Sequence, residues 1–110
     1  MKIETRKDGG RLIVSVGGRL DAVAAPEFDR RSDEWLAEGT SAMILDFGGL
    51  EYISSAGLRS LLLLGKKLSA RKGRIVIAAV KDVVKEVFVI SGFDSIFTVA
   101  ESVDAALSRM

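Results

Sequence analysis

The sequence predicts an α/β domain: a mixed, mostly parallel sheet opened by an N-terminal antiparallel hairpin and covered by about four helices. Three observations predict it. Short apolar runs alternate with longer stretches of helical period, and an Asp8-Gly9-Gly10 turn separates the first two runs. From residue 25 onward each run is followed by a helix-length segment, the pattern that lays strands parallel with right-handed crossovers. The 110 residues hold no repeat, linker or low-complexity stretch, so one domain is expected over residues 1–110.

Each element has its own signal. Lys2 to Lys7 reads as a strand with Ile3 and Thr5 on one face, and Leu12 to Val16 as its hairpin partner. Ala25-Pro26-Glu27-Phe28 opens a helix, because proline suits the first helical position and Glu27 and Asp29 complement the helix dipole. Phe28, Trp35 and Leu36 form its apolar stripe and Gly39 stops it. Ala42 to Leu45 is a buried strand ending at Asp46, Gly48-Gly49 turns the chain, and Tyr52-Ile53 leads into Ser54. A leucine-rich helix runs from there to about Ala70, with Gly73 as its stop signal.

Arg74 to Val80 is a further buried strand, and Lys81 to Ile90 a helix that carries Val84, Val87 and Phe88 inward before Ser91-Gly92. The stretch Phe93 to Val99 holds a short last strand. Ser102 caps a terminal helix reaching Arg109, with Asp104 in its first turn.

Composition removes whole classes of function. Sixteen Lys and Arg against fifteen Asp and Glu leave a charge of +1, too little field to hold a phosphate backbone, so no direct nucleic-acid partner is expected. There is no Cys and no His, which excludes disulfides, thiolate or imidazole zinc sites and any nucleophile with an imidazole base. No cofactor, metal or catalytic residue is expected. A hydrolase would also need a Gly-x-Ser-x-Gly elbow, which is absent, and Lys81 is the one lysine placed near the relevant edge. No stretch without charge exceeds seven residues, so no membrane span is expected and the cytoplasm is the default location.

The loops leaving the carboxyl ends of parallel strands gather at one edge of a sheet. Here they carry Asp21, then Ser54 and Ser55, then Lys81 and Asp82. One of the two serines is well placed to cap the leucine-rich helix, its hydroxyl accepting an unpaired backbone N–H. The same geometry also suits an added phosphate, because a helix N-terminus offers free N–H donors and a positive dipole end. Gly57, without a side chain, leaves the first turn open to a partner or to phosphate oxygens. Asp21 reads equally as a turn residue approaching the first helix or as a group that positions the serine or a partner.

These residues resemble a family. Met43-Ile44-Leu45-Asp46-Phe47, Leu50 and Tyr52-Ile53-Ser54-Ser55-Ala56-Gly57-Leu58 are similar to the signature of STAS-domain anti-sigma factor antagonists. Gly18-Arg19-Leu20-Asp21 with Ala25-Pro26-Glu27 fits the same family, as does Val87-Phe88 with Ser91-Gly92-Phe93 and Ile96-Phe97. The resemblance implies a single STAS domain that binds an anti-sigma factor which is also a serine kinase, and thereby frees a sigma factor. It places the regulatory phosphoacceptor on Ser55, the site before it on Ser54 and the neighbouring loop aspartate on Asp21. The partner surface implied is Asp21, Ser54, Ser55, Ala56, Gly57 and Leu58, with a serine phosphatase as second partner and a monomer or weak dimer as the state.

Two positions depart from the family pattern. Ser54 stands where an acidic residue is usual, and Ala56 where Ser or Thr is usual. The alternative reading keeps the fold without the switch: a STAS subunit that docks constitutively in a transporter, lipid-trafficking or signalling complex.

Three other features are read as structural. Lys66, Lys67, Arg71, Lys72 and Arg74 lie at the far end of the leucine-rich helix and complement its C-terminus. Leu61 to Leu64 cannot all face one way, so at least one is expected partly exposed, whereas Val87 to Ile90 are expected in the core. Gly65, inside that helix, points to close packing against another element.

Overall fold

Leu12-Ile13-Val14 and Met43-Ile44-Leu45 are unbroken apolar runs because both faces of the central strands are covered. The computed structural model describes residues 1–110. Its strands are β1 (Lys2–Asp8), β2 (Arg11–Leu20), β3 (Ala42–Asp46), β4 (Leu50–Ile53), β5 (Arg74–Ala78) and β6 (Thr98–Ala100). Its helices are α1 (Ala25–Ala37), α2 (Ser55–Ala70), α3 (Asp82–Ser91), α4 (Phe93–Ile96) and α5 (Val103–Ser108). The sheet order is β1-β2-β3-β5-β6, with β4 paired to the second half of β2. Only the β1–β2 hairpin is antiparallel.

Alternation along the strands sorts side chains to two cores. Leu12, Val14, Met43, Leu45 and Ile77 face Phe28, Trp35, Leu61, Leu64, Leu68 and Phe88 from the helices. Ile13, Ile44, Val76, Ala78 and Ala100 face the other way, where Ala106 of α5 covers them. The α1 stripe is buried as its spacing predicts, with the Phe28 and Trp35 rings edge-to-face at 6.0 Å. In α2, Leu61 and Leu64 are buried, Leu62 is half-buried and Leu63 is exposed, which resolves the run of four. Gly65 does mark a close approach: a Cβ there would lie 3.0 Å from the Phe97 ring.

The structure corrects several expectations. Tyr52-Ile53 is not a lead-in but half of a fourth strand, too short to show a period. β2 continues to Leu20 through a bulge between Gly18 and Arg19, which lets it pair first with β3 and then with β4. The stretch Phe93 to Val99 begins as a helical turn, because Phe93 and Phe97, four residues apart, are both buried with rings 5.8 Å apart. The last strand therefore starts at Thr98, and the four-residue α4 is added to the four helices expected. β5 stops at Ala78 rather than Val80, since Ala79 turns the chain at φ +63°.

The α2 terminus also differs in detail. The left-handed residue is Lys72 (φ +59°), and Gly73 is needed because a Cβ would lie 2.6 Å from the Ser41 carbonyl oxygen. Within α3, Val84 and Phe88 are buried, but Val89 and Ile90 are 57% and 86% exposed, so the core reading of Val87 to Ile90 fails at its last two residues. A ten-residue helix with one face on the sheet buries one residue per turn along a stripe, here Val84 and Phe88, not four consecutive residues. At the far end of α2, Lys67 pairs with Asp33 at 2.8 Å and Arg71 donates to the Leu36 carbonyl, tying α2 to α1.

Candidate functional site

Leu20 and Ile53 are cross-strand partners at the ends of β2 and β4, so Asp21 and Ser54 leave the sheet side by side. The Ser54 N–H donates to the Leu20 carbonyl at 3.0 Å, binding the two loops at their base. Asp21 and Ser54 thus come together as expected. Lys81 and Asp82 follow β5, with β3 between them and β2; both are exposed, and Lys81 makes no capping side-chain bond.

The two serines divide the work that sequence alone left open between them. Ser54 is the N-cap of α2, extended in backbone, and its hydroxyl accepts the Gly57 N–H at 3.4 Å, a long bond. Ser55 is the first helical residue and is exposed. No acidic side chain stands in the first turn, so no carboxylate of α2 itself offsets the positive end of this 16-residue helix. Ala56 and Leu58 are half-buried, and Leu58 packs against the core.

Gly57 does not do what its lack of a side chain suggested. It is buried, and a Cβ there would overlap the Leu20 carbonyl oxygen and lie 2.8 Å from Ile53 Cγ1. The missing side chain brings α2 against the end of β2; it does not open the turn to solvent.

Asp21 serves the turn. Its Oδ1 accepts the N–H groups of Val23 and Ala24, each at 3.1 Å, and its Oδ2 lies 3.5 Å from Arg19 Nε. The Ala24 N–H does most to hold its carboxyl below the usual aspartate range; desolvation, the next largest influence, opposes it, and the Val23 N–H and Arg19 add to the lowering. Its partners are these three residues and not Ser54 or Ser55, so its link to the serines runs through the shared Leu20 backbone.

Two features of the rim escaped the sequence. The Arg19 guanidinium stacks over the Tyr52 ring at 4.2 Å from its centroid, a pairing that β4 creates by setting Arg19 opposite Tyr52. Val23, in the loop beside the serines, is 90% exposed. The loop reads Asp21-Ala22-Val23-Ala24, so Val23 did not stand out from its apolar neighbours in the sequence. The chain forms no cluster of three acidic side chains able to hold a metal ion, and no helix is long and apolar enough to cross a membrane.

Comparison with known proteins supplies the family. Residues 2–106 match the STAS domain family model. BtrV of Bordetella bronchiseptica, described as an anti-sigma factor antagonist, is 42% identical over 106 residues, covering 96% of this chain and 91% of that one. The crystal structure of an anti-sigma factor antagonist from Mycobacterium paratuberculosis superposes with a TM-score of 0.89 at 25% identity, over 98% of this chain and 92% of that one. SpoIIAA of Bacillus in its phosphorylated form shares the fold, with a TM-score of 0.76 at 19% identity over 98% of each chain. A nearly full-length family match, a 42% identical relative and the same mixed sheet lead to one conclusion: the chain belongs to the STAS domain family, among its anti-sigma factor antagonists.

Proposed function

We propose that this chain binds an anti-sigma factor that is also a serine kinase, that binding frees a sigma factor, and that phosphorylation of Ser55 ends the interaction until a serine phosphatase restores it. The observation that carries the reading is the division between the serines. Ser54 is occupied as the cap, while Ser55 is exposed on the first turn of α2 with no acidic neighbour there. A phosphate of about −1.5 to −2 charges at Ser55 meets the positive helix end, so the domain accepts it without unfolding. A partner seated on Asp21, Ser54, Ser55, Ala56, Gly57 and Leu58 meets that charge at the centre of its footprint, where desolvation and like-charge repulsion oppose docking. Within that footprint Gly57 acts from below, by holding α2 on β2.

BtrV is described as an anti-sigma factor antagonist, and SpoIIAA, of the same fold, exists in a phosphorylated form; both support the reading. The test is incubation with the cognate kinase and ATP, phosphopeptide mapping, and capture of the partner. Phosphate on Ser55, its absence from Ser55→Ala, and capture by the wild type but not by Ser55→Asp are expected. No phosphate at Ser55 with an active kinase leaves constitutive docking as the function.

A further inference from the structure

The free edge of β1 matches a second copy of itself. β1 is seven residues long and lies at the end of the sheet, so one side of it carries backbone N–H and C=O groups without a strand partner. Lys2, Glu4, Arg6 and Asp8 stand on one face, with alternating sign and side chains 42–79% exposed. That face is the one bearing Ile13, since Arg6 is opposite Ile13 across the hairpin.

We propose that the chain forms a two-fold symmetric dimer through antiparallel β1–β1 pairing centred on Thr5, which joins the two sheets into one. Symmetry restricts the registers. Residues directly opposite across strands share a face, and a two-fold axis perpendicular to the sheet keeps each face on the same side, so even-numbered residues meet even-numbered residues. Centring on Glu4 sets Glu4 against itself and Lys2 against Arg6. Centring on Arg6 sets Arg6 against itself and Glu4 against Asp8. Centring on Thr5 sets Glu4 against Arg6 and Lys2 against Asp8, each twice, with Thr5 against Thr5.

Of these registers only the Thr5-centred one gives opposite charges at every position of that face. Opposite-charge and Thr–Thr cross-strand pairs are favourable, and like charges directly opposite are unfavourable. Parallel in-register pairing sets every charge against its own kind. The shorter registers centred on Ile3 and on Lys7 also join opposite charges, Lys2 with Glu4 and Arg6 with Asp8, but each engages two of the four charged positions and about half the strand, whereas the Thr5-centred register engages all four. The strands of the two copies run in opposite directions, so the carboxyl rims bearing Ser55 point away from each other and neither is covered.

The experiment is analytical ultracentrifugation of the full chain up to about 1 mM. Wild type should show a dimer that grows with concentration and weakens with salt. Glu4→Arg alone and Arg6→Glu alone should each sediment as monomers at equal concentration. Mixed, they should form a heterodimer: the first variant is basic at both positions and the second acidic at both, so every cross-strand contact between positions 4 and 6 again joins opposite charges. The chain has no cysteine, so Thr5→Cys gives a clean second measurement: two-fold symmetry brings its Cα atoms to about 4.5–5.5 Å, within disulfide range. Oxidation should link Thr5→Cys to its own copy and leave Glu4→Cys unlinked. A wild type that stays monomeric, a dimer indifferent to both reversals, or reversed chains that fail to pair when mixed overturns the proposal.

Discussion

The carbonyl oxygen of Leu20 and the Cα of Gly57 are packed so closely that no side chain fits between them. One backbone oxygen thereby sets the angle at which α2 leaves the sheet, and it also accepts the Ser54 N–H. Gly57→Ala must push the helix off β2. The expected cost is about 1–3 kcal/mol, the range for overpacking a filled site. Thermal denaturation should show Tm lowered by roughly 5–15 °C. An unchanged Tm means the helix tilts freely there.

The serines should separate in stability measurements. Ser54→Ala removes the cap and should cost about 0.5–1 kcal/mol, toward the low end because the bond is long. Ser55→Ala should fall within about 0.5 kcal/mol of the wild type. Ser55→Asp adds an acid at the helix start and should stabilise by about 0.3–1 kcal/mol at low salt. Loss of partner binding in Ser55→Asp would then be read as surface repulsion, since urea unfolding would show the fold intact.

Asp21 makes the acid limb of stability pH-dependent. Its folded-state carboxyl is held below the range it has in the unfolded chain, so folding favours the ionised form. The contribution is complete above about pH 4 and is lost as pH falls through the lowered folded-state value. Asp21→Asn retains an oxygen for the Val23 and Ala24 N–H groups but cannot titrate. Its denaturation midpoint should fall less than that of the wild type between about pH 4 and pH 2. Parallel acid curves for the two proteins would remove Asp21 from this role.

α3 should prove two-faced. Phe88 is buried among the Phe47 and Phe93 rings, at 6.3 and 5.7 Å, and Phe88→Ala should cost about 3–5 kcal/mol. Ile90→Ser, on the opposite side of the same helix and 86% exposed, should stay within about 0.5 kcal/mol. Chemical denaturation of the two variants side by side is sufficient to check it.

The parts of this protein legible in the sequence are those governed by local spacing. Apolar period placed α1, α2 and the central strands, Pro26 and Gly39 bounded the first helix, and the order of elements sent Asp21 and Ser54 to one rim. Tertiary contacts decided the rest. β4 exists because the bulge after Gly18 gives β2 a second parallel partner, and four residues carry no readable period by themselves. Which serine caps and which stays exposed depends on a one-residue choice of helix start, and the inward role of Gly57 depends on Leu20, thirty-seven positions away in the chain. Periodicity reports which face of a segment seeks cover; it carries no information about which backbone atom will supply it, because that contact forms only when distant segments meet.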